Sequence, residues 1–174
     1  MRKKILWITQ TAMMLALLVA AQWGTASLGQ LVTGSCVNAV LAIAALMGGL
    51  WCGLTVALIS PFLAFAFGIG PQLIQIVPAI AAGNAVLVAT LSLVGGKNPG
   101  WMQRLWAWLC ASVGKFGVLY LLVVQLLCRV LPLKQPQIEK FTAMFSAPQL
   151  VTALIGCGVA ILLVPTLTKA LKKS

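Results

Sequence analysis

The sequence predicts an all-α fold, a single polytopic bundle of six transmembrane helices occupying residues 1–174. Three observations carry that prediction. Of the 174 residues, 61% are apolar and only 7% are charged, whereas soluble domains carry about 25% charged residues. The mean hydropathy is +1.07. Apolar runs of about 20 residues, the length that crosses a hydrocarbon core, recur between short segments rich in Gly, Pro and Lys. This composition excludes a water-soluble globule and a disordered tail. It also excludes a nucleic-acid-binding domain, in spite of a formal net charge of +11, because there is no soluble basic face to present. After the spans are counted, no length remains for a separate soluble domain.

The elements follow in order. Met1 to Lys4 is a basic head, and residues 5–23 form the first apolar run. Arg2, Lys3 and Lys4 ahead of such a run also describe a signal peptide. The length of the run and the hydrophobic chain beyond it favour a first transmembrane helix. Gly24 to Ser35 is small and polar and reads as a loop. From Cys36 to Gly70 the chain is almost wholly apolar. As one helix it would measure about 50 Å, well beyond a bilayer core, so it must fold back. Gly48-Gly49 is the natural break, giving spans 33–48 and 50–68, the second with a kink expected at Pro61. Gly68-Ile69-Gly70-Pro71 is a turn. The fourth span covers 72–94, with Pro78 in its first half. Gly95 to Gly100, which contains Lys97 and Pro99, is a loop. The fifth span, 101–131, is long enough to tilt or project from the bilayer. Pro132 to Pro148 is a polar connection carrying Lys134, Glu139 and Lys140. The sixth span is 149–167, and Lys169, Lys172 and Lys173 form a basic tail.

Cationic residues set the orientation, because positive charge stays on the cytoplasmic side. With six spans, both termini and the second and fourth loops share one face. That face holds Arg2, Lys3, Lys4, Lys97, Arg104, Lys169, Lys172 and Lys173, and the other holds only Arg129, Lys134 and Lys140. Both termini are therefore expected in the cytoplasm. Trp101, Trp106 and Trp108 fit an interfacial belt at the inner end of the fifth span.

What the chain lacks narrows its chemistry. It has no histidine and a single acid, Glu139. Carboxylate pairs for acid–base catalysis, Ser/His/Asp triads and His/carboxylate metal sites are thus excluded. No phosphate-binding Gly-rich loop ending in Gly-Lys-Ser/Thr is present. An enzyme, a metal and a cofactor are not expected. Cys36, Cys52, Cys110, Cys128 and Cys157 form no CxxC pair and read as small hydrophobes. Proton- and sodium-coupled carriers usually keep Asp or Glu inside the bundle, but the only acid here lies in a connection. If the protein moves a solute uphill, the energy source is expected on another chain.

Among candidate functional residues, Lys115 stands out. It falls near the middle of the fifth span, where a lysine costs about 3 kcal/mol to insert. It either snorkels and bonds backbone carbonyls, or contacts a ligand that is anionic or bears a carbonyl. Gln72 and Gln75, three apart, share a helical face, and Gln149 and Thr152 repeat that spacing on the same side. They either line an outward pocket or simply meet water. Asn38 and Asn84 lie deeper. Asn84 is about half a turn round from Gln75, so it contacts ligand or faces a neighbouring helix as polar glue. Ala12, Ala16 and Ala20 form a small-residue stripe that lets helices approach closely, and Gly49-x-x-x-Gly53 does the same where spans two and three meet.

In these features the sequence resembles the substrate-binding S components of energy-coupling-factor (ECF) transporters. The resemblance runs over nearly the whole chain. It is carried by Leu31-Val-Thr-Gly-Ser-Cys-Val-Asn38, Gly49-Leu-Trp-Cys-Gly53, Ile59-Ser-Pro61, Gly70-Pro71, Ile76-Val-Pro78 and Gly83-Asn84, together with the alanine stripe. The resemblance implies capture of a vitamin-like micronutrient from outside. It also implies docking on a transmembrane coupling subunit joined to two ATPase subunits, as in an ABC importer, which would supply the missing energy source. By the same resemblance, Ala12 and Ala16, with Ala20 a turn further on, face the coupling subunit. The pocket would use Gln72, Gln75, Lys115 and Gln149 from spans four to six, under a lid made by the segment from Trp23 to Ser35. The competing readings are a self-sufficient secondary transporter or facilitator of a small solute, and a non-transport subunit of another membrane complex.

Overall fold

A hydrocarbon environment offers backbone N–H and C=O groups no outside partner, so an apolar chain closes them within helices. The computed structural model describes residues 2–95 and 99–173. The loop expected around Gly96-Lys97-Asn98, and the side chains of Arg2, Lys3, Lys172 and Lys173, lie outside the described residues. The helices are α1 (Arg2–Thr25), α2 (Gln30–Ala66), α3 (Val77–Gly95), α4 (Trp101–Val130), α5 (Gln135–Phe145) and α6 (Ala147–Lys173). Within α4, Tyr120–Leu127 is wound as a π-helix. No strand occurs among the described residues. Five stretches are long and apolar enough to cross a membrane, with α5 and α6 counted as one.

The 37 residues of α2 are not one rod. Gly49 has φ 80° and ψ 178°, backbone that a residue without Cβ adopts readily. A Cβ placed on Gly53 would lie 3.1 Å from Ala45 Cα and 2.7 Å from Val88 Cγ1. Residues eight apart on one helix are separated by about 12 Å. The chain therefore reverses at Gly49, and arms 30–48 and 50–66 pack as a hairpin. Of the Gly49-x-x-x-Gly53 pair, Gly53 serves close packing, and Gly49 makes the turn.

Three segments differ from their sequence reading. The loop expected over 24–35 is mostly helical, with α1 reaching Thr25, a 3-10 turn at Ala26–Leu28, and α2 starting at Gln30 after Gly29. Its small polar residues suit a helix because their hydroxyls bond back onto it: Thr25 donates to Ala21 O at 2.6 Å and Ser35 to Leu31 O at 2.7 Å. Pro78 is the second residue of α3, where its missing N–H costs no helical bond. The fourth span therefore starts beside Pro78, with Gln72 outside the helix and Gln75 in the 3-10 turn Ile74–Ile76. The connection at 132–148 contains α5, an amphipathic helix with Phe141 and Phe145 buried four residues apart and Glu139 and Lys140 exposed. Pro136 lies in its first turn, and Gln137 Oε1 accepts from Lys134 N–H at 3.1 Å. Ser146 (φ −96°, ψ −134°) separates it from α6.

The main core joins α1, both arms of α2, α3, α4 and α6 through Leu18, Leu41, Val56, Leu87, Leu91, Ala111, Ala153 and Cys157. A second cluster sits at the end where α5 lies, joining Phe141 and Phe145 to Ile76, Leu119 and Val123. Large apolar side chains cover the outside, among them Ile5, Trp51, Phe62, Leu93, Trp101, Trp106, Leu121 and Leu162. Asn38, Asn84, Lys115 and Thr152 are inside. Apolar outside and polar within is the arrangement of a membrane protein. All five cysteines are free; Cys52, Cys128 and Cys157 are buried, and Cys110 is exposed.

The tightest helix contact lies where Gly156 of α6 meets α2. A Cβ there would collide with Ser35 O and stand 2.6 Å from Asn38 Cβ. Gly156→Ala is expected to destabilise the bundle by about 1–3 kcal/mol, the usual cost of overpacking, and so to lower the unfolding midpoint in detergent. Gly24→Ala, with nothing within 4 Å, is expected to leave it unchanged. Equal midpoints for the two variants would show that α2 and α6 are not in this contact.

Candidate functional site

Lys115 lies about 21 Å along α4 from Trp101, at 1.5 Å per residue, and is 4% exposed. Its Nζ donates to Asn38 Oδ1 at 2.5 Å and to Asn84 Oδ1 at 2.6 Å. Asn38 Nδ2 in turn donates to Thr152 Oγ1 at 3.3 Å, and Thr152 donates to Gln149 O at 3.1 Å. One network thus ties α4 to α2, α3 and α6. It forms because the helices come close at residues without bulk. A Cβ on Gly34, one turn before Asn38, would stand 3.0 Å from Thr152 Cγ2, and one on Gly83, beside Asn84, 2.7 Å from Leu119 Cγ.

Above this network is a cavity of about 360 Å³, within the range of small-molecule sites. It lies at the end of the bundle where α1 ends and α6 begins. Its walls come from the end of α1, the start and end of α2, the start of α3, the middle of α4, α5 and the start of α6. Lys115, Asn38 and Asn84 contribute its polar base, and Phe65, Ile80 and Phe145 contribute apolar wall. At the rim, Met144 O of α5 accepts from Gln30 Nε2 at 2.6 Å and from Gln149 Nε2 at 3.2 Å. These two bonds hold α5 against the starts of α2 and α6. Lys140 is exposed at the same rim.

Two buried polar atoms that line the cavity have no hydrogen-bond partner: Gln22 Oε1 and Ser60 Oγ. Their residues are 8% and 1% exposed. Ser60 departs from a habit of this chain. Thr9, Thr11, Thr25, Ser35, Thr55, Ser112, Ser146 and Thr168 each donate to the carbonyl four residues back. Ser60 makes no such bond, which leaves its hydroxyl for whatever enters the cavity. A buried polar group left unpaired is costly, so an occupant that pairs with both atoms is favoured.

The structure brings together Lys115, Asn38, Asn84 and Gln149 of the residues singled out from sequence. It keeps Gln72, Gln75 and Trp23 apart from them. All three are exposed and off the cavity wall; Gln72 Nε2 donates to Gly70 O at 3.4 Å, and Trp23 is 75% exposed. Ala26, Gly29, Gln30, Thr33 and Gly34 of the expected lid segment do line the cavity. Ala12, Ala16 and Ala20 lie on the exposed side of α1. Of the tryptophans assigned to a belt, Trp101 and Trp106 are exposed, and Trp108 is half-buried, donating to Leu154 O at 2.9 Å. Sequence reasoning missed Gln22 and Ser60, and included Gln30 only as part of the lid segment. Gln22 continues the buried stripe of α1 with Thr11 and Leu18, at helical spacings of seven and four, but only the structure marks that stripe as buried.

No group of three or more His, Cys, Asp or Glu that could hold a metal ion occurs among the described residues. No family model matches this chain, and neither a curated protein nor a solved structure matches it. Chemically, the arrangement offers a fixed cation, a hydroxyl and amide groups to an oxygen-bearing solute.

Asn84→Ala would strip a buried ammonium of one of its two acceptors. A loss of about 1–3 kcal/mol is expected. The double variant Asn84→Ala/Lys115→Met should lose clearly less than the sum of the single changes, since the charge that needed the acceptor is gone. Unfolding midpoints of the four proteins measure this; strict additivity would mean that the two side chains do not interact.

Proposed function

We propose that the protein is the membrane-embedded substrate-capture subunit, the S component, of an ECF-type ABC importer for a vitamin-like micronutrient. One observation carries the reading above the others: a cavity with a polar base at one end of an apolar bundle, holding a buried cation and no acid. It supports binding, and supplies no carboxylate through which an ion gradient could drive release.

Further features fit the same reading. With the two arms of the α2 hairpin read as separate spans, the five long apolar stretches count as six, an even number that would put both termini on the side opposite the cavity. Positive charge gathers at the terminal end, so the positive-inside rule turns the cavity outward and both termini to the cytoplasm. Ala12, Ala16 and Ala20 face away from the bundle, on a helix whose exposed side also carries Met13 and Leu17. A coupling subunit packed on that stripe would find a shallow, apolar surface, and its two ATPase partners would supply the energy.

Affinity purification of the tagged chain from its own cells tests the assignment. A transmembrane coupling subunit and two ATPase subunits should co-purify, and Ala12→Leu/Ala16→Leu should reduce their recovery at least tenfold while the chain stays folded. Recovery of the chain free of ATPases, or solute uptake by the chain alone in liposomes, would overturn the reading in favour of a self-sufficient carrier.

A further inference from the structure

We infer that the cavity takes a small organic monoanion, docked by its carboxylate on Lys115 and presenting an N–H or O–H donor to Gln22. The inference names the substrate class of the capture site proposed above and rests on that reading.

It begins with charge. An ammonium carries three N–H donors; Asn38 and Asn84 take two, and no third acceptor appears among the described residues. Both acceptors are neutral amide oxygens, so they solvate the charge without cancelling it. A buried charge without a counter-ion is strongly disfavoured. The chain cannot provide one, because its only acid, Glu139, is exposed on α5 and accepts from Gln135 Nε2 at 3.1 Å. The second cation on the cavity wall is Lys140, at the rim. Two cations and no carboxylate line one cavity, a field that draws anions inward.

The form of the anion follows from the donors. Lys140 is exposed to water, so the one buried ammonium, at the base, matches one negative charge. A phosphoryl group, with a charge near −1.5 to −2 and three acceptor oxygens, calls for a guanidinium or several cations, and no arginine lines the cavity. The two unpartnered atoms define the rest of the ligand. Gln22 Oε1 is an acceptor that lacks a donor, and Ser60 Oγ can donate or accept. The remaining wall, including Phe65, Val77 and Ile80, suits an apolar or aromatic body between the charged and donating ends.

The test uses the full chain in phosphatidylcholine nanodiscs, with 4-hydroxybenzoate as probe and 4-hydroxybenzamide as its uncharged match. Thermal midpoints are followed at constant ionic strength against sodium chloride and against inorganic phosphate. The acid should raise the midpoint saturably, with half-saturation around 1 mM, as expected for a fragment of about ten heavy atoms. The amide, chloride and phosphate should not. Lys115→Gln should raise half-saturation at least tenfold. Asn84→Asp keeps the side-chain shape and puts a carboxylate beside Nζ, so it should fold at least as stably as the parent and also lose the response. The inference is overturned if the amide stabilises as well as the acid, if phosphate raises the midpoint as the acid does, if Asn84→Asp still responds, or if no saturable response occurs. The two readings fail separately. An acid response in nanodiscs with no ATPase subunits recovered in the co-purification removes the importer and keeps the anion site, and equal binding of the amide with those subunits recovered does the reverse.

Discussion

The structure depends on a single buried charge. The Lys115 ammonium sits in the middle of an apolar bundle, and the oxygens of Asn38 and Asn84 keep it there at 2.5 and 2.6 Å. Those short bonds need α2, α3 and α4 to meet within reach of one side chain, and Thr152 extends the requirement to α6. Leucines at these positions would pack equally well at many rotations, whereas a lysine with two amide oxygens accepts very few. The polar network therefore selects the register of four helices, and the surrounding apolar contacts supply the bulk of the cohesion.

The same network decides where the bundle can be hollow. On one side of Lys115, towards the start of α4, Ala107, Ala111, Leu87, Leu91 and Ala160 close the core. On the other side the helices part around the cavity, and α5 spans the gap, anchored by Phe141 and Phe145 and tied at Met144 O by Gln30 and Gln149. The π-helix at Tyr120–Leu127 faces that second cluster through Val123. Such windings are frequent at functional sites, and this one lies in the part of α4 that packs beneath α5. Solid at one end and hollow at the other, the bundle is asymmetric along its axis.

Much of this was legible in the chain. Composition alone led to an apolar helical bundle, since 7% charged residues cannot coat a soluble surface. The break at Gly49 was readable because 35 apolar residues exceed any bilayer as one helix. Lys115, Asn38, Asn84 and Gln149 stood out because polar groups within apolar runs have no reason to be there except each other or a ligand. The amphipathic α5 was harder to see. Its polar residues match those of a connection, and only Phe141 and Phe145, four apart, mark a helix. Gln72 and Gln75 share a face only if a helix includes them, and the helix starts after them, at Val77.

What the sequence determined by itself was the solvent of the protein, the helices and the residues that do not belong in lipid, because hydropathy and chain length are properties of residues along a line. What only the tertiary structure decided was which of those residues meet. Gln22 and Ser60 come from two helices that are distant in sequence, and neither has a neighbour along the chain that shows it facing a cavity. Their unpaired state appears only when the bundle closes around them, because a hydrogen bond is satisfied or missing in three dimensions and spacing along a chain records only one.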